Sequence, residues 1–267
     1  MLYQNDYRTL NEQEQLKYKE AKALVASTDG LSVDEFYQYH ELMPAAAYYY
    51  ESLFPNNFLS IEELDRPADF HSKLAGYMAL IDNPATGERE VLNYIKNNEA
   101  YFIIASMLKK GFDFGHHEAY LFKEFALPPS FKADYVVVGK NSGGYEFIFV
   151  ELESVYGQIT NGDGTLGTCF RAGIKQIEDW DTYIEANFQT INLLFEQAKM
   201  PGTYLPQEFH KLDKSRIHYA VVAGKRSDFN DKTRRIQRKA RDERKIHLLH
   251  YDNLVDTANS LIKEGNY

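Results

Sequence analysis

"ADYVVVGKNSGGYEFIFVELES", residues 133–154, decides the fold. Two runs rich in valine, isoleucine and aromatic residues flank "KNSGG", a short polar connection, and together they read as a β-hairpin. With the turn centred between Ser142 and Gly143, opposed positions sum to 285, which sets Asp134 against Glu151. Directly opposed side chains of an antiparallel pair stand about 4.5–5.5 Å apart at Cβ. Glu153 shares the face of Glu151, because side chains alternate along a strand. Three carboxylates are therefore expected at one end of an otherwise apolar hairpin. Crowded like charges repel, and burial adds to the cost. A shared proton or a bound divalent cation relieves that cost. The plainer alternative is a strand that simply ends, with its acids turned to solvent.

Elements on either side of the hairpin extend it into a sheet. "AYLFKEFAL" precedes it as a strand, and "IHYAVVAG" and the start of "IHLLHYDNLVDTANSLIKEG" follow as strands. Between them, "CFRAGIKQIEDWDTYIEANFQTINLLFEQAKM" has helical spacing, and "DFNDKTRRIQRKARDERK" reads as a charged helix. "EVLNYIKNNEAYFIIASMLKKG" reads as a helix closed by Gly111. The N-terminal part is acidic, tyrosine-rich and helical in pattern. Ser32 with Glu35, and Ser60 with Glu63, have capping-box spacing, and Pro67 interrupts or restarts the second helix. "NPATGERE", residues 83–90, is the best boundary candidate. The expectation is an α/β (α+β) chain with a mixed sheet flanked by helices. It divides into a helical region, 1–88, and a sheet-bearing domain, 89–267.

Composition narrows the function classes. Of 267 residues, 44% are apolar and 14% aromatic, enough for a real core. The apolar runs are too short to span a bilayer, and the N-terminus lacks a secretory signal pattern. A lone cysteine, Cys169, excludes an intrachain disulfide and a cysteine-rich zinc site. A cytoplasmic protein with no membrane partner is expected. The net charge of −9 argues against a globally basic nucleic-acid coat, yet the charge is segregated. Residues 225–245 hold ten Lys/Arg against four Asp/Glu. Arg234, Arg238, Arg241 and Lys245 form one helical stripe, and with Lys225 and Arg226 they are the candidate contacts to a phosphate backbone. A solvated helix face is the ordinary alternative.

"ADYVVVG…YEFIFVELE" followed by "RAGIKQIEDWDTYI" resembles the PD-(D/E)xK nuclease superfamily and is more closely similar to the Shedu anti-phage defence nucleases. The matching positions are Asp134, Glu151 and Gln176, with "QIEDW" as the Gln-to-Trp run. The strand, turn, basic helix and "HYDNLV" near the C-terminus also match, so the resemblance covers roughly residues 90–265. It implies a restriction-endonuclease-like fold and metal-dependent cleavage or nicking of DNA in bacterial immunity. It further implies Mg²⁺ or Mn²⁺ held by Asp134 and Glu151, Gln176 in support, and a homo-oligomeric assembly. On the helix, positions 176, 180 and 183 share a face that would set Trp180 and Tyr183 against the sheet. The sequence departs from the superfamily pattern at Glu153, where a lysine is usual. Glu153 is then an added ligand or general base. A lysine from elsewhere, Lys175 or Lys225, is a further option. The remaining alternative is a weakened, nuclease-fold protein that binds nucleic acid or a phage-derived partner.

Other features carry less. His116 and His117 read as the approach to a strand rather than a zinc site, and Glu118 or Glu124 is a candidate for an extra acid from the preceding element. "GDGTLG", 162–167, lacks the Gly-Lys-Ser/Thr ending of a phosphate-binding loop and reads as a flexible loop by the site. "AAAYYYESLF", 45–54, reads as an aromatic helix face used in the core or an interface.

Overall fold

The hairpin forms in the expected register. β2 (Phe131–Asn141) and β3 (Gly144–Leu152) are antiparallel, with Asn141 opposite Gly144 and Tyr135 opposite Val150. In the computed structural model, which describes all residues except 27–31 and 66, this hairpin lies within a five-stranded sheet. β1 (Glu118–Leu127) pairs antiparallel with β2. Beyond β3, β4 (Ile217–Val222) and β5 (Ile246–Leu249) run parallel to it. The sheet is mixed because the hairpin comes first and each later strand returns through a helix, the connection that parallel pairing requires. Those helices are α7 (Thr168–Ala198) between β3 and β4, and α8 (Asp231–Arg244) between β4 and β5.

Strand alternation divides the core into two layers. Val137, Ile148 and Val150 face one side, where α4 (Pro67–Ile81), α5 (Glu88–Asn97), α6 (Phe102–Ala105) and α9 (Tyr251–Glu264) contribute Tyr77, Ile95, Phe102 and Leu254. Val136, Val138, Phe147 and Phe149 face the other, against Ile177, Trp180, Ile184 and Phe195 of α7. Three further helices lie N-terminal to these, α1 (Glu12–Ala26), α2 (Val33–Leu42) and α3 (Ala45–Glu51). The Ser32–Glu35 capping box forms as the spacing predicts. The Ser60 start yields a single 3₁₀ turn, Ile61–Asp65, and the α-helix restarts at Pro67, whose fixed φ suits a first helical position. Arg66 of that stretch lies outside the described residues.

Two expectations need refinement. The segment from Glu90 to Gly111 is not one helix: α5 ends at Asn97, and Glu99 takes a left-handed φ of 47°. The Ala100 N–H then bonds the Ile95 carbonyl at 2.9 Å, a Schellman-type stop, and α6 begins afresh. The turn at 83–87 separates α4 from α5, but residues on both sides of it share one core, where α4 packs on α9. The N-terminal segment also covers the free edge of β1. The Leu59 N–H bonds the Ala119 carbonyl at 2.9 Å, and the Asn57 side-chain amide bonds that of Leu121 at 2.9 Å. An uncovered edge strand is a template for unwanted pairing.

Candidate active site

The β2–β3 ladder ends at Tyr135–Val150, one step before Asp134 and Glu151. Past that step a side chain replaces the backbone partner: the Asp134 carboxylate accepts the Leu152 N–H at 2.8 Å. Glu151 stays in register with Val221 of β4, which holds its side chain beneath α7. There Gln176 Nε2 donates to Glu151 Oε1 at 2.6 Å. Glu151 is 6% exposed, and its second oxygen, Oε2, is buried without any hydrogen-bond partner. An acceptor left bare in this way carries a desolvation penalty of roughly 1–3 kcal/mol, more when charged.

α7 can lie this close to the sheet because of Gly173. A Cβ there would come within 2.5 Å of Val221 Cγ1 and 3.3 Å of Glu153 Cγ. Three and seven residues on, Gln176 and Trp180 follow, with the Trp180 ring fully buried against the sheet. Tyr183, the third member of the expected face, packs edge-on against Phe131 at 6.2 Å.

The acids hold their protons unusually tightly. Burial raises the Asp134 and Glu151 carboxyls above the ordinary range, and the repulsion of each neighbouring acid adds to it. Burial, then Glu88 and Asp134, raises Glu153 from 4.5 to about 7. Its neighbour Cys169 is pushed up as well, by burial and by the Glu153 charge.

Glu88 is a fourth acid that sequence reasoning overlooked. It opens α5, and its charge acts on Asp134, Glu151 and Glu153 together. The available signal was its place directly after Gly87, in the acid-favouring first turn of a helix. Of the two acids expected for that role, Glu118 lies elsewhere, whereas Glu124 stands near Asp134 and its charge raises that carboxyl. Glu118, at the far end of the hairpin, binds Lys140 at 2.8 Å and the Tyr120 and Tyr145 hydroxyls. Glu124 forms an exposed pair with Lys132 at 2.9 Å.

Lys132 is the second residue overlooked. Two positions before Asp134 on β2, its charge is felt by both Asp134 and Glu151. It lines a cleft of about 360 Å³ with Glu88, Arg89, Lys96 and Asp134. Lys225, proposed as a stand-in lysine, is held away by Asp82 at 2.8 Å and Asp252 at 3.3 Å. Arg226, another proposed phosphate contact, is paired with Asp256 at 2.5 Å. Lys245 caps α8 in a left-handed conformation and donates to the Ser215 carbonyl at 2.5 Å. Arg234, Arg238 and Arg241 stay together along one wall of a separate cavity. Lys175 is exposed on α7. His116 and His117 occupy an exposed bend before β1, and 162–167 closes a turn through the Asn161 N–H to the Thr165 carbonyl at 2.8 Å.

The donor set suits a hard divalent cation. All its donors are carboxylate oxygens, one of them buried and unpartnered, and Mg²⁺ commonly takes only one or two protein carboxylates. Asp134 and Glu151 supply two. Among the described residues no three acidic, imidazole or thiol groups are drawn together as a metal cluster.

Residues 85–255 match the family model described as Shedu protein SduA, C-terminal. The chain belongs to the Shedu family. Membership implies a role in anti-phage defence. Asp134, Glu151, Gln176 and Glu88 all fall inside the matched segment. No curated protein matches the chain. No helix among the described residues is long and apolar enough to cross a membrane.

Proposed function

We propose that this Shedu-family chain is a metal-dependent DNA endonuclease or nickase. The observation that carries the reading is the Asp134–Glu151 pair at the end of the hairpin, with one oxygen of Glu151 tied to Gln176 and the other bare. Asp134 and Glu151 would hold Mg²⁺ or Mn²⁺, which supplies activation of water and neutralises charge on the phosphodiester. Gln176 is the positioning residue: by binding Oε1 it fixes the rotamer that leaves Oε2 free. Glu153 has the acidity of a general base near neutral pH, the range in which proton transfer to a side chain is most effective. Lys132, two residues upstream on β2 and paired with Glu124, contributes part of the positive charge that the Glu153 position lacks.

The test is incubation of the purified chain with linear and supercoiled DNA in Mg²⁺, Mn²⁺ or EDTA, beside Asp134→Ala and Glu151→Ala. Cleavage in metal that vanishes in EDTA and in both variants is expected. Identical behaviour of wild type and variants would sink the enzyme reading. Glu153 in place of the usual lysine favours a second reading, a weakened nuclease that only binds. DNA retention without cleavage under every metal would establish it.

A further inference from the structure

Arg234, Gln237, Arg238 and Arg241 recur at three- and four-residue spacing, so they share one face of α8. The three arginines of that face are exposed, but the face also borders a concavity of about 250 Å³ whose floor is the edge strand β5 and the first turn of α9. His247 and His250, 8% and 5% exposed, line the floor beside Asn253, and Lys110 reaches in from the opposite side. The floor is held firmly: Phe112 lies against the His247 ring with centroids 4.3 Å apart, and Gln237 Nε2 donates to the Leu248 carbonyl at 2.5 Å. Not one carboxylate lines the cavity, in a chain whose net charge is −9. Arg241 leans on its neighbour Asp242 at 2.9 Å. Arg234, Arg238 and Lys110 have no ion-pair partner among the described residues.

We propose that this cavity binds the phosphate group of a small, nucleotide-sized ligand, at a site separate from the carboxylates. Guanidinium groups match phosphate oxygens in pairs and remain charged at every relevant pH. The neutral imidazoles and the Asn253 amide add hydrogen-bonding groups that a sugar or base can use. The volume lies just below the roughly 300–1,000 Å³ of drug-sized sites, so an occupant that fills it is compact. The phosphate can belong to a free nucleotide or to the 5′ end of a DNA strand. Leu248 lies in the same row as Val221 and Glu151, so β5, the floor of the cavity, is two strand spacings or about 10 Å across the sheet from β3. The proposal does not depend on the nuclease reading.

The experiment is calorimetric titration of the full chain at constant ionic strength with four probes. These are inorganic phosphate, adenosine monophosphate, a 5′-phosphorylated single-stranded oligonucleotide, and the same oligonucleotide without its phosphate. Saturable binding at one site per chain is expected for the phosphate-bearing probes. The double variant Arg234→Gln/Arg238→Gln should weaken it by about ten-fold or more. The double variant Arg235→Gln/Lys239→Gln, which removes equal charge from another face of the helix, should leave it unchanged. Binding of the monophosphate identifies the free nucleotide as source. Binding of the phosphorylated oligonucleotide alone identifies the strand end. The proposal is overturned if no phosphate probe binds, if both double variants lose binding equally, or if the two oligonucleotides bind alike. Far-UV circular dichroism of each variant keeps misfolding distinguishable from lost binding.

Discussion

The two ends of one row across the sheet carry opposite charge. At β3, Asp134, Glu151, Glu153 and Glu88 crowd together, with Lys132 as a cation at the margin. At β5, three arginines and a lysine surround a cavity without a single acid. A folded chain relieves most such imbalances by pairing, and elsewhere this one does so, as at Lys225 with Asp82 and Asp252. Groups left unpaired together are where a ligand of the opposite charge gains most from binding. The acidic end relieves part of its strain by holding protons, whereas arginine has no such recourse.

Substitutions can break this contrast. Gln176→Ala frees Glu151 to rotate without touching its charge, and DNA cleavage in Mg²⁺ should fall by roughly 10–100-fold, as for loss of an outer contact to a metal ligand. A rate within two-fold of wild type would deny Gln176 the positioning role. Lys132→Ala should cost about ten-fold, and Lys132→Arg should recover part of it; the comparison of kcat with KM shows whether the charge serves turnover or binding. Gly173→Ala should destabilise the fold by about 1–3 kcal/mol in urea denaturation, because its Cβ meets Val221.

Smaller effects sharpen the same contrast. Glu151→Gln removes the cost of protonating a buried carboxyl that is ionised in the unfolded chain, so in EDTA at pH 8 its melting temperature should exceed that of wild type; a lower one would refute strain there. The pH dependence has opposite signs at the two ends. Glu153 has a folded pKa of about 7 against an ordinary 4.5, so it contributes less stability as pH rises through that interval. Burial lowers His247 and His250 from 6.5 to about 4, so their contribution is complete above 6.5 and is lost as pH falls towards 4. Melting curves at pH 4–9 should therefore fall away on the acid side less steeply for His247→Asn than for wild type.

The sequence made the centre of the molecule legible because hairpin chemistry is local. "KNSGG" fixes the register, and alternation then places Asp134 opposite Glu151 without knowledge of any other contact. Gln176 and Trp180 followed from helical spacing and family resemblance. Glu88 and Lys132 were illegible for different reasons. Glu88 reaches the acids only because folding brings the first turn of α5 to the end of the hairpin, a tertiary fact with no counterpart in spacing. Lys132 sits on β2, two residues before Asp134, outside the E-x-K spacing that marks the usual lysine. The basic stripe was legible as charge, but not as the wall of a cavity, since β5 and Lys110 are brought to it by folding. "NNE", 97–99, conceals a helix stop behind apolar spacing that continues beyond it.

The cover that Asn57 and Leu59 lay over β1 has a consequence for how far this domain can be moved as a cassette. A fragment starting at residue 89 would lose that cover, the α4 layer of the core and the clasp of Asp82 on Lys225. It would also be cut one residue past Glu88. Any shuffled N-terminus that keeps this chemistry must therefore bring a replacement seal for the sheet edge and join upstream of the turn at 83–87, not after it.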